Sequence, residues 1–296
     1  MTLHRDKLAI PNPALKDAFY SLDSSKLAID VVSKIDSLVT LLELNKNNER
    51  LLISIGESYA SQKKWDSAIF YYKKLVDINH NNANYLYRLG GSQAAYSESA
   101  STFKVLSLIN SAKVNLIKSS NIDKSDIYSR WALVQILLEL PNFFGGDDEL
   151  AFKFSDEIYK ISKLHGLISK SYIHNQLNEY NKAEQTEQII IDLLEMNKRF
   201  FDYNHFNFLI AKFLAKDSHA NYILSNSYLN IYIDNHSHVD RVSKAEAYYY
   251  LAFNNFKLNE DNSSRYLTKS IELLKSQKQN KSLINKIEKL KILLEE

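Results

Sequence analysis

The sequence predicts an all-α chain, a solenoid of antiparallel helix pairs. Three observations predict it. Gly occurs 6 times and Pro 3 times in 296 residues, too rarely for the turns of an all-β fold or the Gly-rich loops of a nucleotide-binding α/β fold. Apolar residues fall mostly three or four apart, which is one face of a helix. The set Leu52, Ile55, Gly56 returns as Leu86, Leu89, Gly90 after 34 residues, and a fixed period of that size marks a repeat array.

The elements follow in order. Ala14 to Leu44 supplies one or two capping helices within an N-terminal segment 1–46. Glu49 to Asn82 is the clearest helix pair. Small residues at Gly56 and Ala68 let its two helices approach, and Leu52, Tyr59, Trp65 and Tyr72 fill the space around the contact. Lys63 to Asp66 is the turn between them. The second pair starts with Leu86 and Gly90, and its second helix, marked by Ala112, Leu116 and Ile122, is displaced by an insertion, Tyr96 to Leu108. That insertion is either a lid over a groove or a plain lengthening of two helices. A third first-helix carries Trp131, Leu133 and Leu137 and stops at Pro141. Gly145 and Gly146 turn the chain, and Asp147 caps the next helix. Further pairs run through Leu167 to Ile190, Phe206 to Ile233, and Tyr248 to Ile271. Residues 281–296 form a charged closing helix, the polar cap that a solenoid needs.

Glu49 to Asn82 resembles the tetratricopeptide repeat, with six of eight signature positions matching. The departures are Leu75, where Ala is usual, and His80, where Pro is common. The chain from 47 to 280 is similar to a group of bacterial tetratricopeptide proteins. In that group a repeat with an extended segment, here Gln93-Ala94 and Phe103 to Leu108, precedes a Pro-x-x-x-Gly-Gly turn, here Pro141 to Gly146. The resemblance implies a right-handed superhelical solenoid whose first helices line a concave face. It brings no catalytic residue with it. Repeat positions 2, 5, 9 and 12 face inward in this family. They fall on Arg50, Ile53, Glu57 and Ala60, then on Asn84, Tyr87, Gly91 and Ala94 with Arg88 beside them, then on Tyr128, Trp131 and Gln135. Arg50, Glu57, Tyr87, Arg88, Tyr128 and Trp131 are the binding candidates, since aromatic residues and Arg dominate interface energetics. The alternative for Tyr87, Tyr128 and Trp131 is packing between repeats. The family's two-carboxylate clamp needs Lys and Asn where this chain has Ile53 and Glu57, and Glu57 would repel a terminal carboxylate.

Composition narrows the function. The formal net charge of +2 supplies no field for nucleic acid or an anionic membrane. Without cysteine there is no disulfide, thiolate zinc site or thiol nucleophile. No apolar run reaches the ~18 residues of a spanning helix. No nucleophile elbow, zinc-protease helix, phosphate loop or dinucleotide fingerprint occurs, so no enzyme, cofactor or metal is expected. Asp234 to Asp240, with His236 and His238, gathers metal-ligating residues, but it lies between helices, where polar residues collect anyway. Asp147-Asp148 suits a helix start, and the lysines from Lys275 to Lys291 alternate with Glu as on a solvated helix. Residues 1–7 lead into no signal-peptide core, so the expected compartment is the cytoplasm, with export after leader removal as the alternative. The expected function is a non-enzymatic scaffold that binds a protein or peptide. The alternative is a ligand-sensing or transport-associated accessory protein that holds a small molecule or short peptide.

Overall fold

First helices begin where a short polar side chain can take up the free N–H groups of the opening turn. The computed structural model, which describes residues 24–196, 200–237, 240–275 and 280–295, places such caps with the period read from the sequence. Asn48 accepts from the Leu51 N–H at 3.2 Å, Asn82 from Asn84 and Tyr85, and Asp126 from Tyr128 and Ser129. Asn48 and Asn82 stand 34 residues apart, and Asp126 follows Asn82 by 44. The second pair therefore carries the additional length.

All regular structure among the described residues is helical. The helices are α1 (Ser24–Leu44), α2 (Glu49–Ser61), α3 (Trp65–Ile78), α4 (Ala83–Ser97), α5 (Thr102–Ile122), α6 (Ile127–Glu139), α7 (Asp148–Ile161), α8 (Lys163–Gln176), α9 (Tyr180–Met196), α10 (Asn204–Leu214), α11 (Tyr222–Asp234), α12 (Lys244–Lys257), α13 (Ser263–Leu274) and α14 (Lys281–Glu295). One 3-10 turn, Asn142–Phe144, follows Pro141. Residues 1–23 of the expected N-terminal cap lie outside the described residues. The array expected over 47–280 divides into two compact units, one up to Ala183 and one from Glu184 onward.

In the first unit small residues set the pairing. A Cβ at Gly56 would run into the ring of Tyr72, and one at Gly90 would come 2.9 Å from Leu116 Cγ. Those approaches let Leu52, Ile55, Ala68, Leu75, Leu86, Ala112 and Leu116 close into a buried core. Polar contacts fix the antiparallel sense of α4 and α5: Ser119 Oγ donates to Ala83 O at 2.8 Å, and Asn115 to Gln93 at 2.9 Å nearer the other end. The insertion is a lengthened helix pair. Residues 98–101 make the turn, and α5 runs 21 residues against 14 in α3. No lid is formed.

Arg130 locks the far end of α5. It is 4% exposed, and its guanidinium donates to the carbonyls of Ser120 (2.8 Å), Asp123 (3.3 Å) and Asp126 (2.6 Å) and to Glu157 on α7 (2.9 Å). The closing carbonyls of α5 are orphaned by geometry, so a buried cation there satisfies groups that water cannot reach.

The second unit repeats the scheme with hydroxyls. Ser225 donates to Ala211 O (2.8 Å), Ser263 to Ala252 O (2.8 Å) and Ser270 to Ala245 O (2.7 Å), each across a helix pair. Phe206, Tyr228, Tyr232 and Leu251 fill this core, and Leu283, Ile287 and Leu290 of α14 close it.

Candidate functional site

Candidate side chains gather on two surfaces, one in each unit. In the first unit they lie on α2, α4 and α6. Arg88 on α4 forms an ion pair with Glu57 on α2 and receives support from Asn84 Oδ1 at 2.7 Å. Both partners keep only 15% and 14% of their side-chain surface. Burial pushes the Glu57 carboxyl above its usual pKa, while Arg88 pulls it back. Two candidates expected as separate groove contacts thus satisfy one another. Tyr87 and Tyr128, both half-buried, approach with ring centroids 6.4 Å apart and an interplanar angle of 41°. Arg50 is exposed on the first turn of α2.

Trp131 departs from the expected groove contact. It is 1% exposed and packs its ring 5.0 Å from Tyr172 on α8, at 63°. Gln135, one turn on, is also buried. Helix α6 is flanked by packed helices and buries nine of its residues, so its register leaves Tyr128 at the surface and turns Trp131 into the core.

The loop after α11 is structural in the described residues. Asp240 accepts from Ser237 N at 2.7 Å, and His236 Nε2 lies 3.0 Å from Val242 O. His238 lies outside the described residues. Among the described residues no three His, Asp or Glu side chains gather as metal ligands, and no helix is long and apolar enough to cross a membrane.

In the second unit α10, α12 and α14 border a cavity of about 490 Å³. Its wall carries Tyr249, Tyr250 and Phe253, with Lys212, Lys216 and Lys286 around it. Lys216 is already neutralised. Its ammonium lies 2.6 and 2.8 Å from the two oxygens of Glu187, a fully buried carboxylate that also has His219 Nε2 at 3.3 Å. Asp217, on the rim, is held by Lys257 at 2.9 Å and by the Tyr222 hydroxyl at 2.7 Å, which keep it below the usual carboxylate pKa. Sequence reading did not find this cavity. Its lysines and tyrosines come from helices 30 to 40 residues apart, and no spacing rule links them.

Against solved structures the chain is similar to a tetratricopeptide repeat protein from Parabacteroides merdae, at 13% identity and a TM-score of 0.53, over 89% of this chain and 93% of that one. The fold is a tetratricopeptide array. It is also similar to yeast Tom70, at 13% identity and a TM-score of 0.52, over 99% of this chain and 67% of that one. No family model matches the chain, and no curated protein does. Glu57, Tyr87 and Arg88 therefore lie on first helices of tetratricopeptide pairs. The 34-residue period and the close contacts at Gly56 and Gly90 are the packing logic of that fold.

Proposed function

We propose that the chain is a non-enzymatic scaffold that holds a protein or an extended peptide along the concave, first-helix face of the array. The observation that carries the reading is the Tyr87–Tyr128 pair, two half-buried rings side by side on successive first helices. Rings held in place by packing lose little freedom on binding, which is why Tyr is favoured in interfaces. Arg50 supplies an exposed cation on the same helix set. Arg88 and Glu57 tie α4 to α2 beside those rings.

The test is affinity capture from cells that express the protein, with the wild-type chain beside a Tyr87→Ser, Tyr128→Ser variant of unchanged melting temperature. A partner recovered by the wild type and lost from the variant supports the face. Equal recovery of every partner sinks it.

The second reading, a ligand-sensing or transport-associated accessory protein, is favoured by the cavity in the second unit, whose volume is within the range of small-molecule sites. A ligand that binds only the folded chain raises its melting temperature as concentration rises. A metabolite giving such a rise would put this reading ahead.

A further inference from the structure

Of the three lysines at the cavity of the second unit, two have no carboxylate bonded to them among the described residues. Lys212 on α10 and Lys286 on α14 both face the cavity. Lys216, the third lysine there, is taken by Glu187. Lys212 keeps much of its surface open to solvent while protein surrounds it on the cavity wall. Crowding pushes its ammonium below the usual lysine pKa; Glu246 pulls the other way, and Lys286 and Lys216 add repulsion. Its openness to water tempers that crowding. Lys286 rests on oxygen and π-density alone. Its ammonium is 3.5 Å from the Tyr250 hydroxyl, 5.4 Å from the Tyr250 ring and 6.0 Å from that of Tyr249. Like charges held on one concave wall raise the free energy of the empty site, and an anion between them lowers it.

The remaining lining defines the rest of the ligand. Tyr249, Tyr250 and Phe253 offer ring faces and edges to an apolar group. Rings at Tyr249 and Phe253 lie nearly parallel, 6.4 Å apart and 24° from coplanar. The opposing carboxylates limit the charge that fits. Asp217 is paired with Lys257, and Glu184 accepts only from the Ser218 hydroxyl at 3.3 Å. Glu184 lines the same cavity, so each further negative charge on a ligand adds repulsion.

We propose that this cavity binds one carboxylate flanked by an apolar or aromatic side chain, presented by a polypeptide. The carboxylate lies between Lys212 and Lys286, and the apolar group rests against Tyr249, Tyr250 and Phe253. Two sources share that chemistry, an internal acidic residue and a free chain end. The site lies in the second unit and goes beyond the face proposed for the first. It shares with that face only the premise that the array binds polypeptide.

The experiment uses the full chain, labelled with ¹⁵N, and three short peptides: acetyl-Gly-Asp-Phe-Gly-amide, its Asn counterpart, and acetyl-Gly-Gly-Phe with a free carboxyl end. Amide shifts around Lys212, Tyr249, Tyr250, Phe253 and Lys286 are followed on titration. The Asp peptide or the free-end peptide should move them, and whichever does identifies the source. The Asn peptide should bind about tenfold more weakly than the Asp peptide, the difference between a charged and a neutral hydrogen-bonding partner. Binding should also weaken as salt is raised. The Lys212→Gln, Lys286→Gln double variant, with an unchanged melting temperature, should lose the response, while Tyr87→Ser, Tyr128→Ser keeps it. Absence of shifts with both carboxylate peptides, or an undiminished response in the lysine variant, overturns the proposal. A loss in the tyrosine variant instead locates the peptide on the first-unit face and also overturns it.

Discussion

The two units bury charge in opposite ways. The first buries a cation, Arg130, and satisfies it mostly with backbone: three carbonyls at helix ends, plus the half-open carboxylate of Glu157. The second buries an anion, Glu187, and satisfies it with a side chain, the ammonium of Lys216 bonded to both its oxygens. Backbone partners cannot be mutated away, so the first arrangement tolerates loss of its formal counter-ion. Side-chain partners can, so the second does not. The candidate surfaces follow the same division. Facing charges on the first unit, Glu57 and Arg88, are mutually satisfied and leave aromatic surface, whereas the second unit spends one lysine on Glu187 and leaves two for a ligand.

The largest effect is expected at Lys216. Lys216→Met strips the ammonium from a carboxylate with no exposed surface and should cost about 3 kcal/mol or more in denaturant unfolding. Adding Glu187→Gln should recover most of it. An undiminished loss in the double variant would mean that Lys216 acts by packing instead. Next comes Arg88→Met, about 2 kcal/mol, because Glu57 is then left mostly buried and unpaired. This loss should depend on pH. The folded-state pKa of Glu57 lies above its ordinary value of 4.5, so the folded chain binds the proton more readily than the unfolded one. The penalty for its charge is therefore full above the raised pKa and fades as pH falls toward 4.5. Without Arg88, which pulls that pKa down, the window widens upward, and the gap between variant and wild type should shrink on acidification. A gap constant from pH 7 to 4.5 would contradict the ion pair. The smallest effect is expected at Glu157. Glu157→Gln should cost under about 1 kcal/mol, since the carboxylate is 34% open and Arg130 keeps its carbonyls. A loss as large as that at Lys216 would erase the contrast between the units.

Helix pairing was legible in the sequence because its causes are local. Gly56, Ala68 and Gly90 mark close contacts between the two helices of a pair, and Asp147 marks a helix start three residues before the N–H it accepts. The period of the repeat was enough to place Tyr87 and Arg88 on a first helix, α4. For Trp131 the period left groove contact and packing between repeats both open, and Tyr172, two helices further along, decides for packing. Glu57 and Arg88 were each visible, but their pairing joins residues on different first helices and needs the interhelical distance. The lysine cavity was invisible for the same reason. Lys212 and Lys286 look like ordinary solvated residues until α10 and α14 are brought to either side of α12.

The clamp on α5 has a consequence for lengthening the chain. Arg130 fastens the C-terminal end of that helix to the start of α6, so register downstream is set there and not at the α4–α5 turn. Extra turns at residues 98–101 extend the pair outward and leave every later helix where it was. That turn is a natural splice point: a reporter sequence or a graft inserted between Glu98 and Ser101 should ride on the end of the hairpin without re-indexing the helices that follow.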